Sequence, residues 1–256
     1  MHELKYRETG YNTEFAGSFE CDDEFLNKLW QKSLRTLYIT MRDNFMDCPD
    51  RERAQWWGDV NTEMQMMMYC LDQNALLLYK KGAEVMAGWT EADGRMITVV
   101  PSGKGQFELP FQNLAGIWGF SYYYEYTGDI SLIERVYPMS KGYVNLYEMD
   151  SSGLVAHRTG SWDWPDWGEN CDTAPMENAW YHMALSSCRK MAELLGREED
   201  IAYYDERMRS IRDNYDRVFL KDGYYYNETA DGRPDDRANA LAVLSGLAEP
   251  SLYSSI

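Results

Sequence analysis

The sequence is short of the residues that metal, redox and nucleic-acid chemistries rely on. Histidine occurs only as His2, His157 and His182, too scattered for two metal ligands one helical turn apart. The five cysteines, Cys21, Cys48, Cys70, Cys171 and Cys188, are odd in number and form no Cys-x-x-Cys pair, so neither a structural zinc site nor a disulfide framework is suggested. Positive charge is scarce: 25 Lys and Arg against 42 Asp and Glu leave a net charge of -17. No basic stripe exists to displace the counterions of a nucleic acid, and an anionic membrane surface is disfavoured for the same reason. No apolar run approaches the roughly 18 residues that would suggest a membrane span, and Met1-His2-Glu3-Leu4-Lys5-Tyr6-Arg7 has no apolar signal core. There is no βαβ rhythm and no glycine-rich phosphate loop, which argues against nucleotide binding. No cofactor and no metal is expected.

Aromatic rings are plentiful, at 14% of the chain with 9 Trp and 20 Tyr. Trp and Tyr bury large area and also present flat faces with a polar tip, which suits the apolar C–H faces and hydroxyl rims of sugars. For most of these rings, filling a helix-rich core is the better account. At 256 residues and 45% hydrophobic, the chain is long enough for one large domain or two small ones.

The apolar spacing is helical almost throughout. Asp22 or Asp23 caps a helix through Leu26, Leu29, Trp30, Leu34, Leu37 and Met41; a polar interruption follows from Asn44 to Asp59. Further helices run through Met64 to Leu71, Leu76 to Met86, Leu114 to Tyr126, and Leu132 to Tyr147 despite Pro138. A loop at 97–110 separates the second and third of these. Gly153 to His157 reads as a strand, and Gly160 to Pro175 as a second interruption. Strong helices through Trp180 to Leu194 and Ile201 to Tyr215 come next, then an aromatic strand at Gly223 to Asn227 and a helix from Arg237 to Leu247. About eight helices with long loops after alternate ones describe an all-α fold, an α/α toroid with a few short strands in its loops. An α-solenoid is the competitor, but no fixed-period repeat supports it. Residues 1–21 read as an entry segment and 22–256 as a partial barrel.

The two interruptions carry the chemistry. The first gathers Asp43, Asp47, Asp50, Glu52 and Asp59 with Arg42, Arg51, Arg53, Trp56 and Trp57. A carboxyl beside aromatic rings is partly desolvated and favours its protonated form, whereas nearby arginines keep others ionised. That divergence is what a general acid with substrate-holding neighbours needs; a surface loop with ordinary salt bridges fits the composition equally well. The second interruption is Gly160-Ser161-Trp162-Asp163-Trp164-Pro165-Asp166-Trp167-Gly168-Glu169-Asn170. Its rings and acids describe a sugar subsite; the other account is a Trp-rich plug at one end of the bundle.

The run Asp47-Cys48-Pro49-Asp50-Arg51-Glu52 through Gly58-Asp59 resembles the signature loop of glycoside hydrolase family 78, the α-L-rhamnosidases. Trp162-Asp163-Trp164-Pro165-Asp166-Trp167 is similar to the family's downstream tryptophan-aspartate loop. Glu20 to Trp30, Tyr126-Thr127-Gly128-Asp129 and Arg233 to Leu241 agree in order along the chain.

The resemblance implies an inverting glycosidase on a six-hairpin α/α barrel, acting on a rhamnose-containing glycoside or polysaccharide. By position in the motif, Glu52 is the general acid. Asp47, Arg51 and Asp59 hold rhamnose hydroxyls, Trp56 or Trp57 walls the pocket, and Trp164, Asp166 and Trp167 extend the subsite.

An inverting mechanism also needs a base roughly 6.5–9.5 Å from the acid, which the family carries in a later tryptophan-glutamate motif that is not found here. Too few helices for six hairpins, and no upstream β-rich domain, point the same way: an internal fragment, inactive alone, whose parent supplies N- and C-terminal parts. Asp163, Asp166, Asp172 and Glu177 are the internal candidates for a base. A secreted or periplasmic location is suggested by the resemblance only. The alternatives are a non-catalytic carbohydrate-binding helical module, or a toroid glycosidase for another sugar, such as an α-L-fucosidase or a glucuronyl hydrolase.

Overall fold

A computed structural model describes residues 3–7, 9–102, 107–227, 233–254 and 256. Part of the loop expected at 97–110, together with Met1 and His2, lies outside the described residues. Among the described residues eight α-helices follow in order: α1 (Glu24–Ile39), α2 (Trp57–Cys70), α3 (Asn74–Gly88), α4 (Pro110–Thr127), α5 (Ile130–Val144), α6 (Thr173–Leu194), α7 (Glu198–Phe219) and α8 (Asp236–Leu244). A two-stranded antiparallel hairpin, β1 (Leu220–Lys221) and β2 (Tyr224–Tyr225), sits between α7 and α8.

Local chemistry sets the helix ends. Asp23, Asp129 and Asp235 each accept a backbone N–H two residues on, capping α1, α5 and α8. Pro110 opens α4, and α4 stops at Gly128 in the left-handed conformation, φ 67°.

Connection lengths then alternate. α2 passes to α3, α4 to α5 and α6 to α7 through turns of two or three residues, whereas the connections entering α2, α4, α6 and α8 are all long. Short turns force antiparallel neighbours. The even-numbered helices lean on one another in sequence, α2 on α4, α4 on α6, α6 on α8, while α3 leans on α5 in an outer layer. Two layers of this kind, with each long loop entering an inner helix at its N-terminus, are the α/α arrangement expected.

The layers close on an aromatic core. Trp57 packs 5.7 Å from Tyr79 and 5.8 Å from Phe120, and Tyr79 stacks on Tyr123 at 5.0 Å. The α2–α4 contact is so close that a Cβ on Gly116 would fall 2.1 Å from Trp57 Cδ1.

Several boundaries move from their expected places. Gly153 to His157 contributes one bridge, Met149 to Val155, rather than a strand. Trp57 and Gly58 belong to α2, and Pro175 lies inside α6, so both interruptions end earlier than their polar composition suggests. The aromatic strand shrinks to Tyr224–Tyr225, α5 ends at Val144, and α8 ends at Leu244.

Gly116→Ala should therefore destabilise the chain by roughly 1–3 kcal/mol through overpacking against Trp57. Denaturant unfolding measures it, and a variant as stable as the wild type would show that the α2–α4 contact is looser than described.

Candidate functional site

Because every long loop enters at an inner-helix N-terminus, the two interruptions meet. They border a cleft of about 940 Å³ whose lining includes Asp47, Arg51, Glu52, Trp56, Asp59, Trp164, Asp166 and Trp167. Trp57, the remaining candidate, is absent from it. Its side chain is 0% exposed and belongs to the core, because its place in the first turn of α2 turns the ring inward against Tyr79 and Phe120. Trp56 takes the wall position and packs on Phe107 at 6.2 Å.

The first loop is pinched shut by Asp47, whose backbone N–H donates to the Ala54 carbonyl while its Oδ1 accepts the Ala54 N–H, both at 3.0 Å. Buried Gln55 donates to the Val100 carbonyl, and the Trp57 N–H donates to the Thr98 carbonyl, fixing the loop's exit. Arg53 (φ 49°) in this loop and Asn170 (φ 54°) in the second adopt left-handed backbone, a strain that the surrounding contacts must hold.

The carboxyls of the cleft diverge. Glu52 pairs with Arg51 at 2.6 Å and accepts from the Cys48 thiol at 3.2 Å, and the Arg51 hydrogen bond, with help from Cys48, holds it down to about 2. The raised acid expected at this position is therefore found elsewhere. Glu52 lies at the rim beside a guanidinium rather than against a ring. Asp59, in the first turn of α2, is pushed up to about 6 by burial first and then by the negative charge of Asp47, with smaller contributions from Asp166 and Glu52. Burial pushes Glu63, one turn further along α2, up to about 8, with Asp59 and Asp47 adding to it.

Glu63 carries no sequence signal beyond its i+4 spacing from Asp59, and nothing local in the sequence marks it as a site residue. Thr40 Oγ1 lies 2.8 Å from the Leu37 carbonyl and 2.7 Å from Glu63 Oε1. A hydroxyl has one proton to give and a carbonyl only accepts, so when Leu37 receives it the Glu63 contact requires a protonated Glu63.

The second loop is anchored by a charged bridge. His157 reaches Glu177 through Nδ1 at 2.6 Å and Asp163 through Nε2 at 3.0 Å. The Glu177 hydrogen bond is the largest influence raising His157 to about 9, so at neutral pH it is an imidazolium donating to both carboxylates. Its folded value lies above the ordinary 6.5, so this contribution is complete below about 6.5 and is lost as pH rises through about 9. Ser161 pairs with Glu108 through the backbone. Asp163 and Glu177 are thereby committed to structure, as is Asp172, buried and accepting the Asn227 N–H. Of the carboxyls in the second loop considered as a base, Asp166 is the one in the cleft. The rings gather around Trp164, with Trp162 at 4.8 Å and Trp167 at 4.4 Å edge-on.

Among the described residues, one group, Asp47, Cys48 and Glu52, brings possible metal-ligand atoms within 4.8 Å of one another. Its thiol is already spent on Glu52, whose charge is matched by Arg51, so the trio is accounted for without an ion. Among the described residues no helix is long and apolar enough to cross a membrane.

Residues 14–255 match the model of the bacterial alpha-L-rhamnosidase 6 hairpin glycosidase domain. An alpha-L-rhamnosidase of Formosa agariphila is 29% identical over 227 residues, which is 84% of this chain and 24% of that protein. A second from the same organism is 26% identical over 236 residues, 80% of this chain and 23% of that protein. The chain thus spans about a quarter of the length of the curated relatives it matches. Among solved structures, the GH78 family rhamnosidase of Bacillus sp. GL1 superposes with a TM-score of 0.82 at 24% identity, covering 96% of this chain and 27% of that one. A rhamnosidase from Klebsiella oxytoca with rhamnose bound gives 0.81 at 19% identity, covering 92% and 47%.

The titration of the cleft is directly measurable. Glu63 is raised above its ordinary 4.5, so the folded state loses stability as pH climbs from about 4.5 to about 8, where the unfolded chain is ionised and the folded one is not. Glu63→Gln should remove that contribution, flattening the pH 6–8 slope of unfolding free energy by up to about 1.4 kcal/mol per pH unit. An unchanged slope would mean that Glu63 ionises normally.

Proposed function

The chain belongs to the bacterial alpha-L-rhamnosidase six-hairpin glycosidase family, and from that premise we propose that it supplies the acid side of an inverting hydrolysis releasing terminal α-L-rhamnose from a rhamnose-containing glycoside or polysaccharide. The observation that carries the reading is the meeting of the two interruptions in one cleft of about 940 Å³. The curated relatives are alpha-L-rhamnosidases, and the Klebsiella oxytoca structure holds rhamnose; both support the choice of sugar.

In this reading Glu52 donates the proton to the glycosidic oxygen. Asp47, Arg51 and Asp59 hold the sugar hydroxyls, Trp56 walls the pocket, and Trp164, Asp166 and Trp167 continue the subsite outward. Paired with Arg51, Glu52 is ionised, whereas a proton donor must be protonated. Its partner Arg51 has a side chain 81% exposed, and such a surface pair is weakly held. A sugar taking Arg51's donors and excluding water raises Glu52 toward the working range. The base, on the opposite face of the sugar roughly 6.5–9.5 Å away, lies outside this chain, so the chain alone binds without turning over.

Asp59 offers a second reading. Held near 6 by burial and the charge of Asp47, it is suited to be a proton donor.

Kinetics separate the two. In a full-length protein carrying this segment, Glu52→Gln should lower kcat by at least about 100-fold while L-rhamnose binds within a few-fold of normal. Near-normal kcat in Glu52→Gln with loss in Asp59→Asn would transfer the acid role to Asp59. The 256-residue chain itself should leave an aryl α-L-rhamnoside intact, and turnover by it would contradict the placement of the base.

A further inference from the structure

The ring-bearing half of the second loop has no regular secondary structure, yet its rings must hold a fixed angle to serve as a sugar platform. The loop's first half is tied down by Ser161 on Glu108 and by Asp163 on His157. The second half, from Pro165 to Asn170, is met from a different direction by α8. Arg237, in the first turn of α8, sends Nη1 toward the carbonyls of Trp167 (3.1 Å) and Asp166 (3.4 Å), and Nη2 toward that of Glu169 (3.4 Å). The Arg233 carbonyl, just ahead of α8, accepts from the Asn170 amide at 3.1 Å.

Arg237 is itself held rigidly. Its Nε and Nη2 donate to the two oxygens of Asp235, each at 2.9 Å, and Asp235 is buried, with its side chain 2% exposed. Capping α8 does not need this guanidinium, because Asp235 caps through the Arg237 backbone N–H. What the guanidinium adds is reach. One edge of the planar fork is fixed by the carboxylate, and the remaining donors face the backbone of the residues that carry Trp167 and flank Trp164. Trp164 and Trp167 lie edge-on at 4.4 Å, so fixing the backbone of one sets the ring angle of both.

We propose that Arg237 is the positioning residue of the tryptophan subsite, holding the Pro165–Asn170 backbone so that Trp164 and Trp167 face the cleft at a fixed angle. It touches no sugar; its action runs through the loop. Lysine cannot replace it, since an ammonium is a point charge that cannot bridge a bidentate carboxylate and several carbonyls together. Gly168 lies beside the clamp, with room for a side chain but not the backbone conformation for one. Its φ of 134° favours glycine, and a Cβ there would lie 3.4 Å from Arg237 Nη1.

The clamp is independent of the sugar, but its consequence for affinity rests on the rhamnose-subsite reading, so two measurements are paired on the 256-residue chain. Limited chymotrypsin digestion reads loop order, and calorimetric titration with L-rhamnose reads affinity. In Arg237→Ala, cleavage between Trp162 and Trp167 should quicken about tenfold and L-rhamnose affinity should fall about tenfold, with cleavage elsewhere nearly unchanged; the thermal midpoint falls as well, because the buried Asp235 carboxylate loses its partner. Arg237→Lys should recover only part of each. Gly168→Ala strains the loop backbone at a φ of 134° and leaves α8 intact; it should shift both readouts in the same direction. If the wild type binds no L-rhamnose while Arg237→Ala still frees the loop, the subsite reading falls and the clamp stands. Loop cleavage unchanged in Arg237→Ala and Gly168→Ala would overturn the clamp.

Discussion

The site depends on one constraint of chain connectivity: every connection leaving an inner helix is short, and every connection entering one is long. Turns of two or three residues leave little room for side-chain clusters, so the long, acid- and ring-bearing segments lie at the N-termini of the inner helices. Side-by-side packing of these helices brings the loops together from distant parts of the sequence. Asp47 and Asp166 both act on Asp59, which records the meeting electrostatically.

The acidic cleft is possible because its carboxyls occupy different environments. Glu52 is matched by Arg51 at the rim, Asp59 is half-buried among like charges, and Glu63, half-buried one turn further along α2, meets Thr40. Were all three ionised at neutral pH, their repulsion would oppose closing the first loop. A neutral Glu63 relieves Asp59 of one negative neighbour. The other half of the site is stabilised in the opposite way, by cations that each bind two partners: His157 between Glu177 and Asp163, and Arg237 between Asp235 and the loop carbonyls.

Much of this was legible in the sequence because helical periodicity survives wherever one face is buried. The eight helices, the two interruptions and the cleft residues Asp47, Arg51, Glu52, Trp56, Asp59, Trp164, Asp166 and Trp167 follow from spacing, composition and a family motif. The sequence leaves the pocket wall open between Trp56 and Trp57 because two adjacent tryptophans look alike, and only the start of α2 decides which ring turns into the core. Glu63 was hidden inside an ordinary helical stretch, since its altered acidity comes from burial that no local pattern announces. The clamp of Arg237 on Trp167 joins residues 70 positions apart and became visible only once α8 was placed beside the second loop.

The central claim is that L-rhamnose occupies the cleft between the two interruptions, and tryptophan indole NMR tests it most directly. On titrating the chain with L-rhamnose, the indole N–H signals of Trp56, Trp164 and Trp167 should move saturably together while that of core-bound Trp57 stays still. Shifts confined to Trp30, which lines a separate cavity of about 460 Å³ with Phe15, Phe19 and Tyr38, or no shifts at all, would contradict it.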